Sequence, residues 1–155
     1  MKKPEARNAV VAIIWKQNSK IPIRSENVLY CQKNCTMKKS YLILINDAPY
    51  GTEKAYHALR LAMQIQKDYD GTDLCVFLMA DAVSCALPNQ NTPNGYYNIE
   101  RMLKSVISKN GKVKLCGSCA EARGLKELKL VEGAELSTMK ELTQLTMECH
   151  KIITF

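Results

Sequence analysis

Two cysteines separated by two residues are the feature of this sequence most suited to chemistry. The segment Cys116-Gly117-Ser118-Cys119 combines two thiols with small residues between them. A thiolate is the attacking group in both sulfur transfer and disulfide exchange, and thiolates also bind zinc. The spacing therefore indicates a reactive thiol site and leaves sulfur transfer, redox exchange and metal binding open.

The flanking residues predict that this segment lies at a strand-to-helix junction. A strand is predicted from Val113 to Leu115, ending at Cys116, and a helix from about Ser118 to Gly124. Sites in open α/β sheets gather outside the carboxyl ends of strands, and a helix N-terminus favours the thiolate. We therefore expect Cys116 to be reactive. The competing interpretation is that both cysteines are small buried hydrophobic side chains.

The rest of the chain predicts strands that alternate with helices from Ser40 onward. Apolar runs predict strands, and apolar residues three or four apart predict helices, for which Thr52 and Thr138 are the expected N-caps. This alternation predicts an α/β fold with a parallel sheet covered on both faces. The predicted strands cover about 41–45, 74–79, 113–115, 134–136 and 152–155, and the predicted helices 52–67, 81–87, 99–107, 118–124 and 138–147.

Composition and cysteine count exclude several classes of protein. The chain has 155 residues, 46% of them hydrophobic and 24% charged, as expected for one globular domain. Its longest apolar run, Ala9 to Trp15, is far shorter than the roughly 20 residues that span a membrane. Seven cysteines, an odd number, without a convincing signal peptide argue against a secreted disulfide scaffold. We expect a protein of the reducing cytoplasm with no membrane partner.

The positive charge is concentrated at the N-terminus. The formal net charge is +7, of which residues 1–36 contribute +5 and residues 37–155 only +2. The body is therefore near neutral, and no nucleic-acid partner is expected. We expect residues 1–36 to be a loosely ordered N-terminal extension, or an over-annotated start upstream of a true initiator at Met37. Residues 37–155 are expected to form the functional domain.

The segment from Leu115 to Leu125 resembles the active-cysteine segment of the DsrE/DsrF-like family. In that pattern a cysteine ends a strand, and an Arg-Gly pair follows seven and eight residues later. Cys116, Arg123 and Gly124 match this spacing. The resemblance covers about residues 38–155. Further matching segments are Asn46-Asp47, residues 56–62, Asp81-Ala82-Val83 and residues 137–142.

This resemblance implies a fold and a chemistry. The fold would be a three-layer α/β/α arrangement with a five-stranded parallel sheet, assembled as a homo-oligomer, either a trimer or a hexamer. Cys116 would carry a persulfide. The partners would be sulfur donor and acceptor proteins or small sulfane-sulfur compounds, and neither a cofactor nor a metal is expected.

The candidate site residues divide into thiols and groups expected to surround them. Arg123 is placed to help bind an anionic sulfur species, and the helix-end amides to stabilise a negative sulfur. Asn46 and Cys85 follow neighbouring strands and are candidates to line the same cleft; the alternatives are that Asn46 caps the turn and that Cys85 is a packed core thiol. The candidates are therefore Cys116 and Cys119 as catalytic residues, and Arg123, Gly117, Ser118, Asn46 and Cys85 as binding residues.

Three interpretations of function remain open from the sequence. The first is a sulfur carrier or sulfurtransferase using Cys116, and the second is a thiol–disulfide switch using Cys116 and Cys119. The third is a non-catalytic oligomeric module whose cysteine no longer reacts. A four-thiolate zinc site that adds Cys31 and Cys35 is weaker, because their spacing is loose and they lie in the extension. Cys75 and Cys149 are expected to be structural.

Overall fold

The computed structural model describes residues 39–155 as strands that alternate with helices. The extension predicted for residues 1–36, with Cys31 and Cys35, lies outside this described part. In chain order the elements are β1 (Ser40–Ile45), α1 (Lys54–Asp68), β2 (Asp73–Leu78), a 3₁₀ helix (Ala80–Ala86), α2 (Ile99–Ser108), β3 (Lys112–Cys116), α3 (Gly117–Ala122), β4 (Ala134–Ser137), α4 (Met139–Glu148) and β5 (Lys151–Thr154).

The five strands form one parallel sheet in the order β4-β3-β2-β1-β5. The register pairs Ile43 of β1 with Val76 of β2, and Val76 with Val113 of β3. These three side chains are buried, as expected for central strands of a sheet that is covered on both faces. The sheet confirms the predicted α/β fold with five parallel strands.

The connections explain why the sheet is the middle one of three layers. Right-handed crossovers that lead successively from β1 to β4 place their helices on one face, and the return to β5 places α4 on the other. Leu59 of α1 and Leu103 of α2 are fully buried on the first side. Lys114 of β3 pairs with Glu141 of α4 on the second, at 3.1 Å. Within residues 39–155, no helix combines the length and apolar character needed to cross a bilayer.

The two predicted helix caps have different outcomes. Thr138 is confirmed as the N-cap of α4, because its Oγ1 accepts a hydrogen bond from the Glu141 amide. The prediction for Thr52 is wrong, since α1 begins at Lys54 with Glu53 as its N-cap residue. The Thr52 hydroxyl instead donates to Asp47 Oδ2 at 3.0 Å. A carboxylate at the end of β1 thus holds the hydroxyl that would otherwise cap the helix.

Candidate functional site

Cys116 is the last residue of β3 and the N-cap residue of α3. β3 lies between β2 and β4, and Cys116 is in register with Ser137 at the end of β4. Its side chain is only 4% exposed. The prediction that this cysteine lies at a strand-to-helix junction is therefore confirmed, with the first amides of the helix beside it.

Several hydrogen bonds converge on the Cys116 sulfur. Its Sγ lies 3.2 Å from the Ser118 Oγ, and the Cys119 thiol and the amides of Ser118 and Cys119 lower the pKa of Cys116 as further hydrogen-bond donors. Burial alone would raise the pKa of Cys116, but the hydrogen bonds together outweigh burial and hold the pKa below its ordinary value. The arrangement therefore favours a thiolate at Cys116.

Cys119 has the opposite tendency to Cys116. The hydrogen bond to the Cys116 sulfur raises the pKa of Cys119 most, and burial raises it further. The Ala80 backbone amide and the Arg123 charge act in the other direction without reversing the shift. Cys119 is partly exposed. The pair therefore consists of a buried cysteine, Cys116, whose pKa is lowered, and a more accessible cysteine, Cys119, whose pKa is raised.

Arg123 is held by an acidic side chain. Its Nε and Nη2 both donate to Asp81 Oδ1, at 2.9 and 2.7 Å, and its Nη1 donates to the Cys119 carbonyl at 3.1 Å. Asp81 lies in the 3₁₀ helix that follows β2, the strand next to β3. From the sequence, Asp81 is part of the family resemblance, but its contact with Arg123 was not predicted. The signal that could have predicted this contact is the adjacency of β2 and β3, the strands that precede Asp81 and Arg123.

Ala80, the first residue of the 3₁₀ helix, has a left-handed backbone conformation. Its φ is +46°, which costs a non-glycine residue about 1 kcal/mol or more. Its amide lowers the pKa of Cys119 as a hydrogen-bond donor. Ala80 was not predicted from the sequence, because nothing about an alanine indicates a positive φ.

Gly117 permits a close approach between α3 and β4. A Cβ atom at this position would lie 3.0 Å from the Ser137 carbonyl oxygen, closer than carbon and oxygen normally approach without displacement. A residue without a side chain therefore allows the helix to begin directly after Cys116. This contact gives Gly117 a structural reason to stand between the strand and the first turn of the helix.

The two remaining candidates for the cleft are tied to other groups. The Asn46 Nδ2 donates to the Phe155 carbonyl at 3.3 Å, across the β1–β5 side of the sheet. Cys85 is 0% exposed, and its Sγ approaches the Asp47 carbonyl at 3.9 Å. Burial raises the pKa of Cys85 to about 12. The hydrogen-bond partners of both side chains therefore lie in the segments after β1 and β5, and not in the segment of Cys116.

Cys75 and Cys149, the remaining cysteines of residues 39–155, lie at the amino ends of the strands. A cavity of about 270 Å³ at the amino ends of the strands is lined by Cys75 and Cys149, among other residues. Burial raises the pKa of Cys75 to about 12, so that its thiol is protonated at neutral pH. Within residues 39–155, no group of three or more His, Cys, Asp or Glu side chains has the arrangement of a metal site.

At the carboxyl ends of the strands the side chains provide one candidate nucleophilic thiol with a second thiol close to it in the chain. Cys116 supplies a thiol with a lowered pKa, Ser118 and the helix amides supply neutral hydrogen-bond donors around it, and Cys119 supplies a second thiol three residues later. Such a group can attack a sulfane sulfur or a disulfide, and neutral donors can stabilise the negative sulfur that results.

Comparison with families of known proteins agrees with this architecture. The family model described as "DsrE/DsrF-like family" matches residues 39–155. Protein YchN of Escherichia coli is 41% identical over 114 residues, which cover 74% of this chain and 97% of YchN. An uncharacterised protein of Methanocaldococcus jannaschii is 40% identical over 115 residues, which cover 74% of this chain and 98% of that protein.

Solved structures give the same result for the fold. The crystal structure of YchN from E. coli matches with a TM-score of 0.73 at 40% identity, over 76% of this chain and 99% of YchN. A Bacteroides thetaiotaomicron protein of unknown function matches with a TM-score of 0.55 at 14% identity, over 77% and 98% of the two chains. The second match shows only a shared fold.

Proposed function

The chain belongs to the DsrE/DsrF-like family, and on that premise we propose that it is a sulfur carrier that holds a persulfide on Cys116. The family points to a function of the sulfur-relay type. In the proposed reaction the Cys116 thiolate attacks the sulfane sulfur of a donor. A new sulfur–sulfur bond forms at Cys116 while the donor's own bond breaks, and the donor leaves with the electron pair. An acceptor thiolate then attacks the outer sulfur, and Cys116 leaves as a thiolate.

The observation that supports the proposal most is the set of donors around Cys116. The Ser118 hydroxyl, the Cys119 thiol and two backbone amides favour the thiolate over the thiol, despite burial. The same amides, at the start of α3, are suited to the negative charge of a terminal persulfide sulfur. Cys75 and Cys85, whose pKa values burial raises to about 12, have no such surroundings and serve as internal contrasts.

The proposal is tested by following sulfur into and out of the protein. The reduced protein is incubated with a sulfane-sulfur donor, freed of excess donor, and then mixed with an acceptor thiol. Intact mass should show one added sulfur atom after the first step and its loss after the second, with the acceptor converted to its persulfide. Absence of sulfur uptake would overturn the proposal.

A thiol–disulfide switch is the second candidate function. Its support is the hydrogen bond between the Cys119 thiol and the Cys116 sulfur, which places a resolving thiol beside the nucleophile. In such a switch an oxidised donor disulfide is reduced while Cys116 and Cys119 form a disulfide. Cys119→Ser separates the two functions, because a carrier keeps its sulfur uptake in this variant and a switch loses its disulfide. An unreactive Cys116 would favour the non-catalytic module.

The proposal extends to the location, the partners and the oligomeric state of the protein. We place it in the reducing cytoplasm, acting on donor and acceptor proteins or on small sulfane-sulfur compounds, as a homo-oligomer of three or six chains. Met139 and Met147 of α4 are 58% and 81% exposed, and exposed apolar side chains of this size are suited to contacts between chains. Light scattering after size-exclusion chromatography should give a mass three or six times that of one chain, and a monomer would contradict this part.

A further inference from the structure

Two cations that flank Cys116 in the chain, Lys114 and Arg123, are both paired with carboxylates. Arg123 gives two hydrogen bonds to Asp81 Oδ1. Lys114, two residues before Cys116 on the same side of β3, pairs with Glu135 and Glu141 at 2.6 and 3.1 Å. These groups comprise three carboxylates and two cations, and the Cys116 thiolate adds a further negative charge. A donor with negative charge is therefore repelled more than a donor without net charge.

We propose that Asp81 sets the donor specificity of Cys116 by cancelling the charge of Arg123, so that the site disfavours anionic sulfane donors. This inference rests on the proposed sulfur-carrier function. Arg123 keeps N–H groups beyond those held by Asp81 and the Cys119 carbonyl. Arg123 thus retains N–H groups that could bind an anion, but Asp81 cancels its positive charge. Asp81 acts here through Arg123 and is a specificity-determining residue rather than a catalytic one.

Two sulfur donors of different charge, thiosulfate and cysteamine persulfide, test the effect of Asp81. Thiosulfate is a dianion, and attack by the Cys116 thiolate on its outer sulfur leaves a persulfide on Cys116 and releases sulfite. Cysteamine persulfide carries an ammonium group. Attack on its protonated outer sulfur leaves a protonated persulfide on Cys116 and releases the zwitterionic thiolate of cysteamine. Both reactions balance without any oxidant or reductant. The change in the ratio of the two rates between wild type and variant then reports the effect of a charge at the site, because the intrinsic difference between the donors cancels.

The experiment compares Asp81→Asn with Asp73→Asn, since both remove one negative charge without changing side-chain size. Asp73 is the first residue of β2, at the amino ends of the strands, where it pairs with Lys112. We expect Asp81→Asn to raise the rate with thiosulfate relative to cysteamine persulfide roughly threefold to tenfold, and Asp73→Asn to leave that ratio unchanged. High salt should shrink the difference, because both members of the Asp81–Arg123 pair reach solvent.

Arg123→Gln provides a second variant that shifts the ratio in the opposite direction. It leaves Asp81 uncompensated, so thiosulfate should react still more slowly than in the wild type. An unchanged ratio in Asp81→Asn, or an equal rise in Asp73→Asn, would overturn the inference while sulfur carriage stands. If neither donor loads sulfur on Cys116 in any variant, the proposed function itself fails, and the specificity inference fails with it.

Discussion

The Sγ atom of Cys116 lies 3.2 Å from the Oγ atom of Ser118, within the first turn of α3. The contact joins residues two positions apart, so the turn itself brings a hydroxyl to the sulfur. Together with the thiol and amide of Cys119 and the Ser118 amide, this hydroxyl offsets the effect of burial on the pKa of Cys116. The groups that lower the pKa of Cys116 thus lie within a four-residue segment.

Replacing Ser118 by Ala should make Cys116 less reactive. The variant removes one hydrogen bond to the thiolate, so the pKa of Cys116 should rise and the rate of alkylation at neutral pH should fall. The measurement is the rate of iodoacetamide alkylation of the Cys116 peptide as a function of pH. Ser108→Ala, at the exposed end of α2, is the matched control. An identical pH profile in Ser118→Ala would show that the hydroxyl does not stabilise the thiolate.

Two substitutions of Cys119 should have different effects on Cys116. Cys119→Ala removes a side-chain donor and should raise the pKa of Cys116, whereas Cys119→Ser keeps a hydroxyl donor and should preserve more of the lowered pKa. Thiolate absorbance in the ultraviolet, followed during a pH titration, measures both variants against the wild type. Equal titration curves for the Ala variant and the wild type would contradict the hydrogen bond between the two thiols.

Gly117→Ala should disturb both stability and reactivity. The added Cβ lies 3.0 Å from the Ser137 carbonyl oxygen, so α3 or β4 must shift, at a cost of about 1 kcal/mol. Urea unfolding measures the first effect, and alkylation of Cys116 the second. Gly71→Ala is the comparison for reactivity: its positive φ makes the substitution destabilising, but its Cβ would meet nothing within 4 Å, so alkylation of Cys116 should not change. Loss of stability without any change at Cys116 would mean that the shift does not reach the site.

Glu100 should contribute stability that depends on pH. The hydrogen bonds from Lys104 and from the Gln90 amide lower the pKa of Glu100. Because its folded pKa lies below its unfolded pKa, the contribution is present above the unfolded value of about 4.3 and is lost as the pH falls through the folded value. Glu100→Gln should therefore be less stable than the wild type by about 1 kcal/mol at pH 7.

Urea unfolding at pH 7 and pH 3 measures this difference for Glu100→Gln. The difference between variant and wild type should shrink at the lower pH, where the carboxyl group of the wild type is increasingly protonated in both states. The exposed Glu132 offers the control Glu132→Gln. A difference that is the same at both pH values would show that the charge of Glu100 does not stabilise the fold.

Local patterns allowed much of the fold to be predicted from the sequence. The run Tyr41 to Ile45 is continuously apolar because β1 is a central strand with both faces covered, and its length matches a strand. Helix starts were harder to predict, as the Thr52 prediction illustrates. The competing acceptor, Asp47, belongs to the preceding turn and becomes visible only when the turn geometry is known.

The site was predictable where its contacts are local in sequence. Cys116, Ser118 and Cys119 lie within one turn, so a strand-to-helix junction is enough to bring them together. The Asp81–Arg123 contact spans 42 residues and depends on which strands are adjacent.

Burial and backbone conformation at other residues depend on tertiary packing. Ala80 adopts a positive φ that its residue type disfavours. Cys85, in the 3₁₀ helix, is fully buried, which agrees with its interpretation as a packed core thiol and not with a place in the cleft. Such features cannot be read from spacing alone.

The most direct test of the central claim is the location of the sulfur atom after loading. The wild type, Cys116→Ser and Cys149→Ser are each treated with a sulfane-sulfur donor, and the persulfidated peptide is identified by mass. Cys149 is a suitable control, because it is partly exposed but lies at the opposite edge of the sheet. We predict sulfur on the Cys116 peptide in the wild type and in Cys149→Ser, and none in Cys116→Ser. Sulfur retained by Cys116→Ser to the same extent would contradict a carrier function of Cys116.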